Sequence, residues 1–421
     1  MWGVSQLSMK LFTLKSGLLR IFCFFALLAL AILQFRLAMF EQSEFSRKTD
    51  LSSSHKYQSN PYLLSWLAKQ KHIFEADLFA ANSLYQQALT VNSLFLPAWL
   101  GLAELKLDQQ QSQQANAILD YSSVLATDIK RWRWDKALVA FQFDRKDILA
   151  ADLSFIISNM KGKVRNDALR MAFSVWPDTM ELEDRMGSDN LIHLFRYATA
   201  KKKVEEGLAL WRTLRFQGIQ ELEKETLAFI NMLLSVGEIK TAAEIWKKHF
   251  NSNNYMYNGD FKEKPLQTAF GWRIGKNKGV SWKLQEEDKK GEPARLHLHF
   301  SRKKNIHLRN IYQIVPLPGG KVYALRAKIK TAKVTTDQRP YLEVYGYKCK
   351  IPYKKSEMVD SDQEWRDQYL FFNVPEESDA VIVRLRRRES TYIDNKLAGD
   401  IWLTDFEIAV TGENFTILDE Q

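Results

Sequence analysis

The sequence predicts a multidomain chain that is helical first and β second: one membrane span, then an α-solenoid, then a jelly-roll β-sandwich. Three observations predict it. Residues 17–40 form one apolar run. Residues 61–250 hold few Gly or Pro and space their apolar residues at the helical period. From Tyr257 onward the period changes to two. The 421 residues, 46% hydrophobic and 12% aromatic, suffice for two or three domains with cores of their own.

The apolar run holds Leu18 and Leu19, then Ile21 to Leu33 without a charged or amide side chain. As a helix it would measure about 36 Å, enough to cross a bilayer. Arg20 and Arg36 can snorkel to opposite interfaces. Lys10, Lys15 and Arg20 precede the core, while Glu41 and Glu44 follow it. The positive-inside bias therefore puts residues 1–16 in the cytoplasm and the bulk of the chain outside. Ala29-Leu-Ala31 offers a cleavage site for the rival reading, a signal peptide, but more apolar sequence follows it. Residues 41–60 are rich in Ser, Lys and Gln and read as a linker.

Within 61–256 a repeat is visible. Ala81, Tyr85 and Ala88 recur 34 residues later as Ala115, Leu119 and Ser122. Trp99, Leu102 and Ala103 follow Pro97 at the opening of the second unit. Gly207 and Trp211 recur 35 residues on as Ala242 and Trp246, in Glu-Gly-Leu-Ala-Leu-Trp211 and Thr-Ala-Ala-Glu-Ile-Trp246. The stretch between, with Trp132, Trp134 and Trp176-Pro177, reads as helical but out of register. Small residues let paired helices approach while large ones fill the groove. These spacings resemble the tetratricopeptide repeat, and that resemblance implies a concave groove for a protein partner. An ordinary α-bundle is the alternative.

The β part, 257–412, alternates in Arg295-Leu-His-Leu-His-Phe300 and in Tyr323, Leu325, Ala327 and Ile329. Further runs are Tyr341 to Tyr347, Tyr369 to Val374, Ala380 to Leu385 and Ile401 to Val410. Turns are expected at Pro318-Gly-Gly320, Asn373 to Glu377 and Ala398-Gly-Asp400. Eight to ten strands so spaced argue a jelly roll. Residues 413–421 are a tail.

Four segments resemble galactose-binding-like carbohydrate-binding modules: Asn258-Gly-Asp-Phe261 as the opening strand, Ile311-Tyr-Gln-Ile-Val-Pro-Leu-Pro-Gly-Gly-Lys-Val-Tyr-Ala-Leu325 as middle strands, Trp365-Arg-Asp-Gln-Tyr-Leu-Phe-Phe-Asn-Val-Pro375 as a late strand and Ile401-Trp-Leu-Thr-Asp-Phe-Glu-Ile408 as the last. The resemblance implies a sandwich; the same fold also serves as a structural or protein-binding module. Such modules often hold a structural calcium ion. Here Lys262 replaces the usual acidic residue, and Thr404-Asp405 replaces the usual Asp pair. Asp260, Glu263 and Asp405 would have to compensate, so the expectation is no cofactor.

A sugar site needs aromatic rings beside polar groups. The candidates are Gln313, Tyr341, Tyr345, Tyr347 and Arg388, each tyrosine having a plainer reading as a half-buried sheet residue. Trp272 and Trp402 are expected in the core. Arg384-Leu-Arg-Arg-Arg388 can pair with the carboxylates of an acidic polysaccharide, or form a charged outer face with Leu385 inward.

The net charge is +10, and residues 257–356 alone hold 23 basic and 8 acidic residues. That suits a solvated surface, or a face for an acidic polymer or lipid headgroups. No nucleic-acid motif is present, and nucleic acid is not an expected partner. Cys23 and Cys349, the two cysteines, lie too differently placed for a disulfide scaffold. His297 and His299 share a strand face, but no further metal ligand follows at a useful spacing. Nucleophile elbow, phosphate loop and His-Glu-x-x-His are all missing. Glu286-Glu-Asp288 reads as a solvated loop, although a hydrolase's two acids need no local motif.

The expectation is a non-catalytic protein whose solenoid docks a partner and whose sandwich contacts a glycan. The combined resemblance implies an accessory component of bacterial exopolysaccharide or envelope assembly, held in the inner membrane with its bulk in the periplasm. Two alternatives remain: a structural scaffold that binds no sugar, and a cryptic glycoside hydrolase.

Overall fold

The computed structural model describes residues 60–127, 129–218, 223–250, 254–287, 291–348, 352–393 and 395–411. The apolar run, the linker up to residue 59, both cysteines, Asp288 and the tail lie outside the described residues. Among the described residues no helix is long and apolar enough to cross a membrane. The chain forms two compact units that meet within one helix, after Ala168.

The first unit is built of helical hairpins: α1 (Pro61–Ile73) with α2 (Leu78–Val91), α3 (Leu96–Asp108) with α4 (Ser112–Leu125), and α5 (Arg133–Gln142) with α6 (Lys146–Asn159). Asn60 caps α1, its Oδ1 accepting the Tyr62 N–H at 2.9 Å with Pro61 at the first helical position. The recurring small and large residues all lie in the core: Ala81, Tyr85 and Ala88 on α2, Ala115, Leu119 and Ser122 on α4. The turns repeat too. Ala76, Gln110 and Asp144 each take positive φ two residues before an even-numbered helix. This corrects the reading of the middle stretch for α5 and α6, which continue the 34-residue phase; beyond them the positive-φ residues Gly162 and Gly187 fall off it. What hid the phase is that Ala76 and Gln110 are not residues that favour the left-handed region, so their types do not signal the turns. Asp152, fully buried on α6, is held by Arg133 at 2.6 Å and Lys136 at 3.0 Å.

α7 (Lys163–Val175) carries the border between the units. The second unit continues with α8 (Thr179–Met186), α9 (Leu191–Ala200), α10 (Val204–Phe216), α11 (Glu223–Val236) and α12 (Ile239–Phe250). Lys202 and Gly237, again 35 residues apart, take the left-handed turns before α10 and α12.

Then come ten strands: β1 (Arg273–Ile274), β2 (Val280–Gln285), β3 (Arg295–Ser301), β4 (Leu308–Pro316), β5 (Lys321–Ala332), β6 (Tyr341–Gly346), β7 (Pro352–Lys355), β8 (Gln363–Val374), β9 (Ala380–Arg387) and β10 (Ala398–Val410). They form two antiparallel five-stranded sheets, ordered β1-β4-β9-β6-β7 and β2-β3-β10-β5-β8. Leu296, Leu298 and Phe300, and Tyr323, Leu325, Ala327 and Ile329, point between the sheets as their alternation requires. Trp272 is in this core.

Two expected elements differ. Asn258-Gly-Asp-Phe261 is a turn, with positive φ at Asn258 and Phe261. Its Phe261 packs on Trp272 at 5.1 Å, and its Gly259 carbonyl accepts the Phe406 N–H at 3.0 Å. A Cβ at Gly259 would overlap the Phe406 carbonyl oxygen. The segment therefore belongs to the core without being a strand. Ala398-Gly-Asp400 is no turn but the start of β10, paired with Ser301, Phe300 and His299. Gly399 is there because the backbone of Lys333 passes against it, leaving no room for a Cβ.

Helices and sandwich of this unit are joined by residues 254–272. Trp246 of α12 meets Tyr257 at 5.1 Å and Phe270 at 5.6 Å, edge to face. Asn231 of α11 accepts the Ala269 N–H at 3.0 Å and donates to the Thr268 hydroxyl. Tyr347 donates to the Leu234 carbonyl at 3.3 Å, and Lys240 pairs with Asp379 at 3.5 Å. Truncating a buried Trp typically costs 3–5 kcal/mol, so Trp246→Ala is expected to destabilise the second unit by about 3 kcal/mol. Urea unfolding followed by near-UV circular dichroism checks this; a loss well under about 1 kcal/mol would mean that the contact does not hold helices and sheets together.

Candidate functional site

The residues chosen from sequence for sugar binding are not brought together. Gln313 is fully buried (0% exposed) and points between the sheets. Its Nε2 donates to the carbonyls of Tyr257 (2.9 Å) and Phe270 (2.8 Å), so it holds the connector rather than facing a ligand. Tyr341 is 8% exposed. Tyr345 lies under the Arg384 guanidinium at 4.6 Å, which also binds the buried Glu343 carboxylate at 2.5 Å. Tyr347 is engaged by α11. Arg388 alone is well exposed, just past β9 on a loop. Leu385 does point inward, but so does Arg387, fully buried.

The carboxylates considered for calcium have other partners. Asp260 pairs with Lys262 at 2.9 Å, Asp405 with Lys328 at 3.2 Å, and Glu263 accepts the Tyr257 hydroxyl at 2.8 Å. Ammonium groups thus compensate two of the three charges, and these residues do not fit a calcium ion. Among the described residues no group of three or more His, Cys, Asp or Glu is arranged to hold a metal.

The surface that does gather aromatic and polar groups is the outer face of the second sheet. Registration puts His299 opposite Asp400, His297 opposite Trp402, and Trp402 opposite Lys330. One Asp400 oxygen binds His297 Nε2 at 2.7 Å and His299 Nδ1 at 2.9 Å. His297 stacks on Trp402, centroids 4.8 Å apart and planes 7° from parallel. Trp402 Nε1 donates to Gln285 Oε1 at 3.0 Å, which also accepts from Arg295 at 2.9 Å. Further along, Glu292 accepts from Trp365 Nε1 at 2.6 Å and pairs with Lys330 at 3.2 Å. Tyr369 (46% exposed) and Phe371 (47%) then present rings two residues apart on β8.

Trp402, expected in the core, is instead half-buried on this face, because β10 puts Ile401 and Leu403 inward. The cluster is missed in the sequence for two reasons: Asp400 reads as a turn residue and Trp402 as a core residue, so their shared face is not counted. The alternation Ile401-Trp402-Leu403, extended one residue back, is the signal that could have found it. Rings set among carboxylate, amide and ammonium groups can stack on a pyranose and bind its hydroxyls.

No family model matches the chain, and no curated protein does. Solved structures to which it is similar include one titled "CBM4 structure and function", 17% identical, with 37% of this chain and 99% of that one covered and a TM-score of 0.27. Another is "Family 16 Carbohydrate Binding Module-2", 17% identical, 37% and 99% covered, TM-score 0.26. A third is "Xylan-Binding Domain from CBM 22, formally x6b domain", 11% identical, 39% and 99% covered, TM-score 0.26.

Partial burial works to raise the Asp400 carboxyl, but the hydrogen bonds from His297 and His299 outweigh it and hold the group below the usual carboxylate range. A depressed folded value stabilises above the unfolded one, about pH 4, and that stability is lost as pH falls through the folded value. The melting temperature of Asp400→Asn should therefore lie below wild type at pH 6–7 and converge with it below about pH 4. Equal melting temperatures at neutral pH would show that Asp400 does not organise this face.

Proposed function

We propose that the chain is a membrane-anchored, non-catalytic binding protein whose sandwich takes a glycan on the outer face of its second sheet. The observation that carries this is the row of Trp402, His297, Trp365, Tyr369 and Phe371, interleaved with Asp400, Gln285 and Lys330. Sugar recognition uses ring faces for pyranose C–H groups and nearby dipoles for hydroxyls. The membrane anchor rests on the apolar run at 17–40 and its flanking charges. The helical repeats, of tetratricopeptide type, would offer a protein partner their concave side. The setting that accommodates these parts is polysaccharide assembly or export at a bacterial inner membrane, with the bulk of the chain periplasmic.

A second reading has its own observation. α11 and α12 reach Arg273, Tyr347, Asp379 and the connector, so the helices and the first sheet form one block. A purely structural scaffold needs no more than that.

The two are separated by a glycan-array assay on the full chain, solubilised in a detergent without a sugar headgroup and repeated at high salt. Saturable binding to one glycan class, surviving salt, supports the glycan reading. Trp402→Ala, and separately Phe371→Ala, should then weaken it by about tenfold or more. Absence of binding by the wild type to any glycan favours the scaffold.

A further inference from the structure

The sheet order carries 356–362 and four further connections across one end of the sandwich: 275–279, 302–307, 333–340 and 388–397. Arg387 ties three of these four together. Its buried guanidinium donates to the carbonyls of Ile306 (2.5 Å), Gln338 (2.7 Å) and Asn395 (3.1 Å) and to Asn305 Oδ1 (3.1 Å). The fourth is joined by Asn277, donating to the His307 carbonyl at 3.3 Å, and by Asn310, donating to the Lys276 carbonyl at 3.0 Å. This end is opposite the loops that carry Tyr347 and Asp379, where the helices dock.

Its charge is uneven: 356–362 brings Glu357, Asp360 and Asp362 to this end, while the basic residues gather in other loops. Spans 275–279, 301–309 and 386–388 hold nine Lys and Arg and no Asp or Glu. Lys276, Lys278, Lys303, Lys304, Arg309 and Arg388 are exposed. The carboxylates nearby are Asp337, accepting from the Ser390 hydroxyl at 2.7 Å, Asp362, accepting the Lys333 N–H at 2.7 Å, Asp360, paired with Arg366 at 3.7 Å, and the exposed Glu357. Glu389 stands beside Arg388. At the tip of the same loop cluster Tyr392 is 68% exposed and Ile393 102%.

Cations alone would suit any polyanion. A fully exposed Ile on one of these loops does not serve a polysaccharide, which has no apolar layer for it to enter. Both features serve a bilayer surface: lysines and arginines attract anionic headgroups, an aliphatic side chain enters the interfacial layer, and a tyrosine ring lodges at headgroup depth. The geometry points to a peripheral membrane contact, in which this loop end binds anionic lipid headgroups and Tyr392 and Ile393 insert between them. The contact is independent of glycan binding on the second sheet.

The test places an environment-sensitive fluorophore at Ile393→Cys in the full chain, with Cys23→Ser and Cys349→Ser. The protein is reconstituted with phosphatidylglycerol-containing lipid or with phosphatidylcholine alone. The expected result is a blue shift and quenching by headgroup-labelled nitroxide lipid in the anionic bilayer only. Both should be lost in Lys303→Glu/Lys304→Glu and, on a separate loop, in Lys276→Glu/Lys278→Glu, and retained in Phe371→Ala. The proposal is overturned by no shift on anionic lipid, by an equal shift on phosphatidylcholine, or by a shift that survives both charge reversals. A shift produced instead by a soluble uronate polymer would also overturn it and assign the end to an acidic glycan.

Discussion

One side chain decides how the second unit is put together: the buried amide of Gln313. Residues 254–272 cross from the last helix to the first strand without secondary structure of their own, so their carbonyls have no ladder to join. Buried carbonyls left unpaired are costly. Gln313 meets two of them, on Tyr257 and Phe270, from inside the sandwich. Asn258 and Glu263 exchange two more bonds, Asn258 Oδ1 accepting at 3.0 Å and its Nδ2 donating at 2.7 Å. Asn231 serves the connector from the helical side. With these groups paired, the connector can present Tyr257 and Phe270 to Trp246, joining helix and sheet within the second unit.

That joint settles which surfaces of the sandwich remain to be used. α11 and α12 engage the connector, the edge strand β1 and the end of β6, and Arg384 lies over Tyr345, so the first sheet has little aromatic surface to offer. The second sheet keeps its outer face, where long side chains pair across strands: Lys330 with Glu292, Lys328 with Asp405, Arg326 with Glu407. Exposed pairs of this kind contribute little stability. Their effect is to hold the side chains between the rings in fixed places.

Much of the architecture was legible because it depends on spacing alone. A period near 3.6 up to Phe250 and a period of two after it follow from the geometry of helix and strand. Tyr323, Leu325, Ala327 and Ile329 had to face one way, and Ala81, Tyr85 and Ala88 had to be buried together. The connector and the site were not legible, since both depend on residues far apart in the chain. Gln313 reads as a surface amide until the carbonyls of Tyr257 and Phe270, about 50 positions away, are brought to it. Asp400 after Gly399 reads as a turn until the backbone of Lys333 is seen to exclude any larger residue.

By itself, then, the sequence determined the order of helix and strand, the 34-residue recurrence, the inward faces and an uneven distribution of positive charge. These are local properties, each set by a residue's type and its near neighbours. The tertiary structure alone decided which polar side chains are structural and which are displayed. It buried Gln313 and Arg387, set Trp402 and His297 side by side on an outer face, and brought basic loops together at one end of the sandwich. The physical reason is that desolvation and cross-strand pairing act between residues that only the fold makes neighbours.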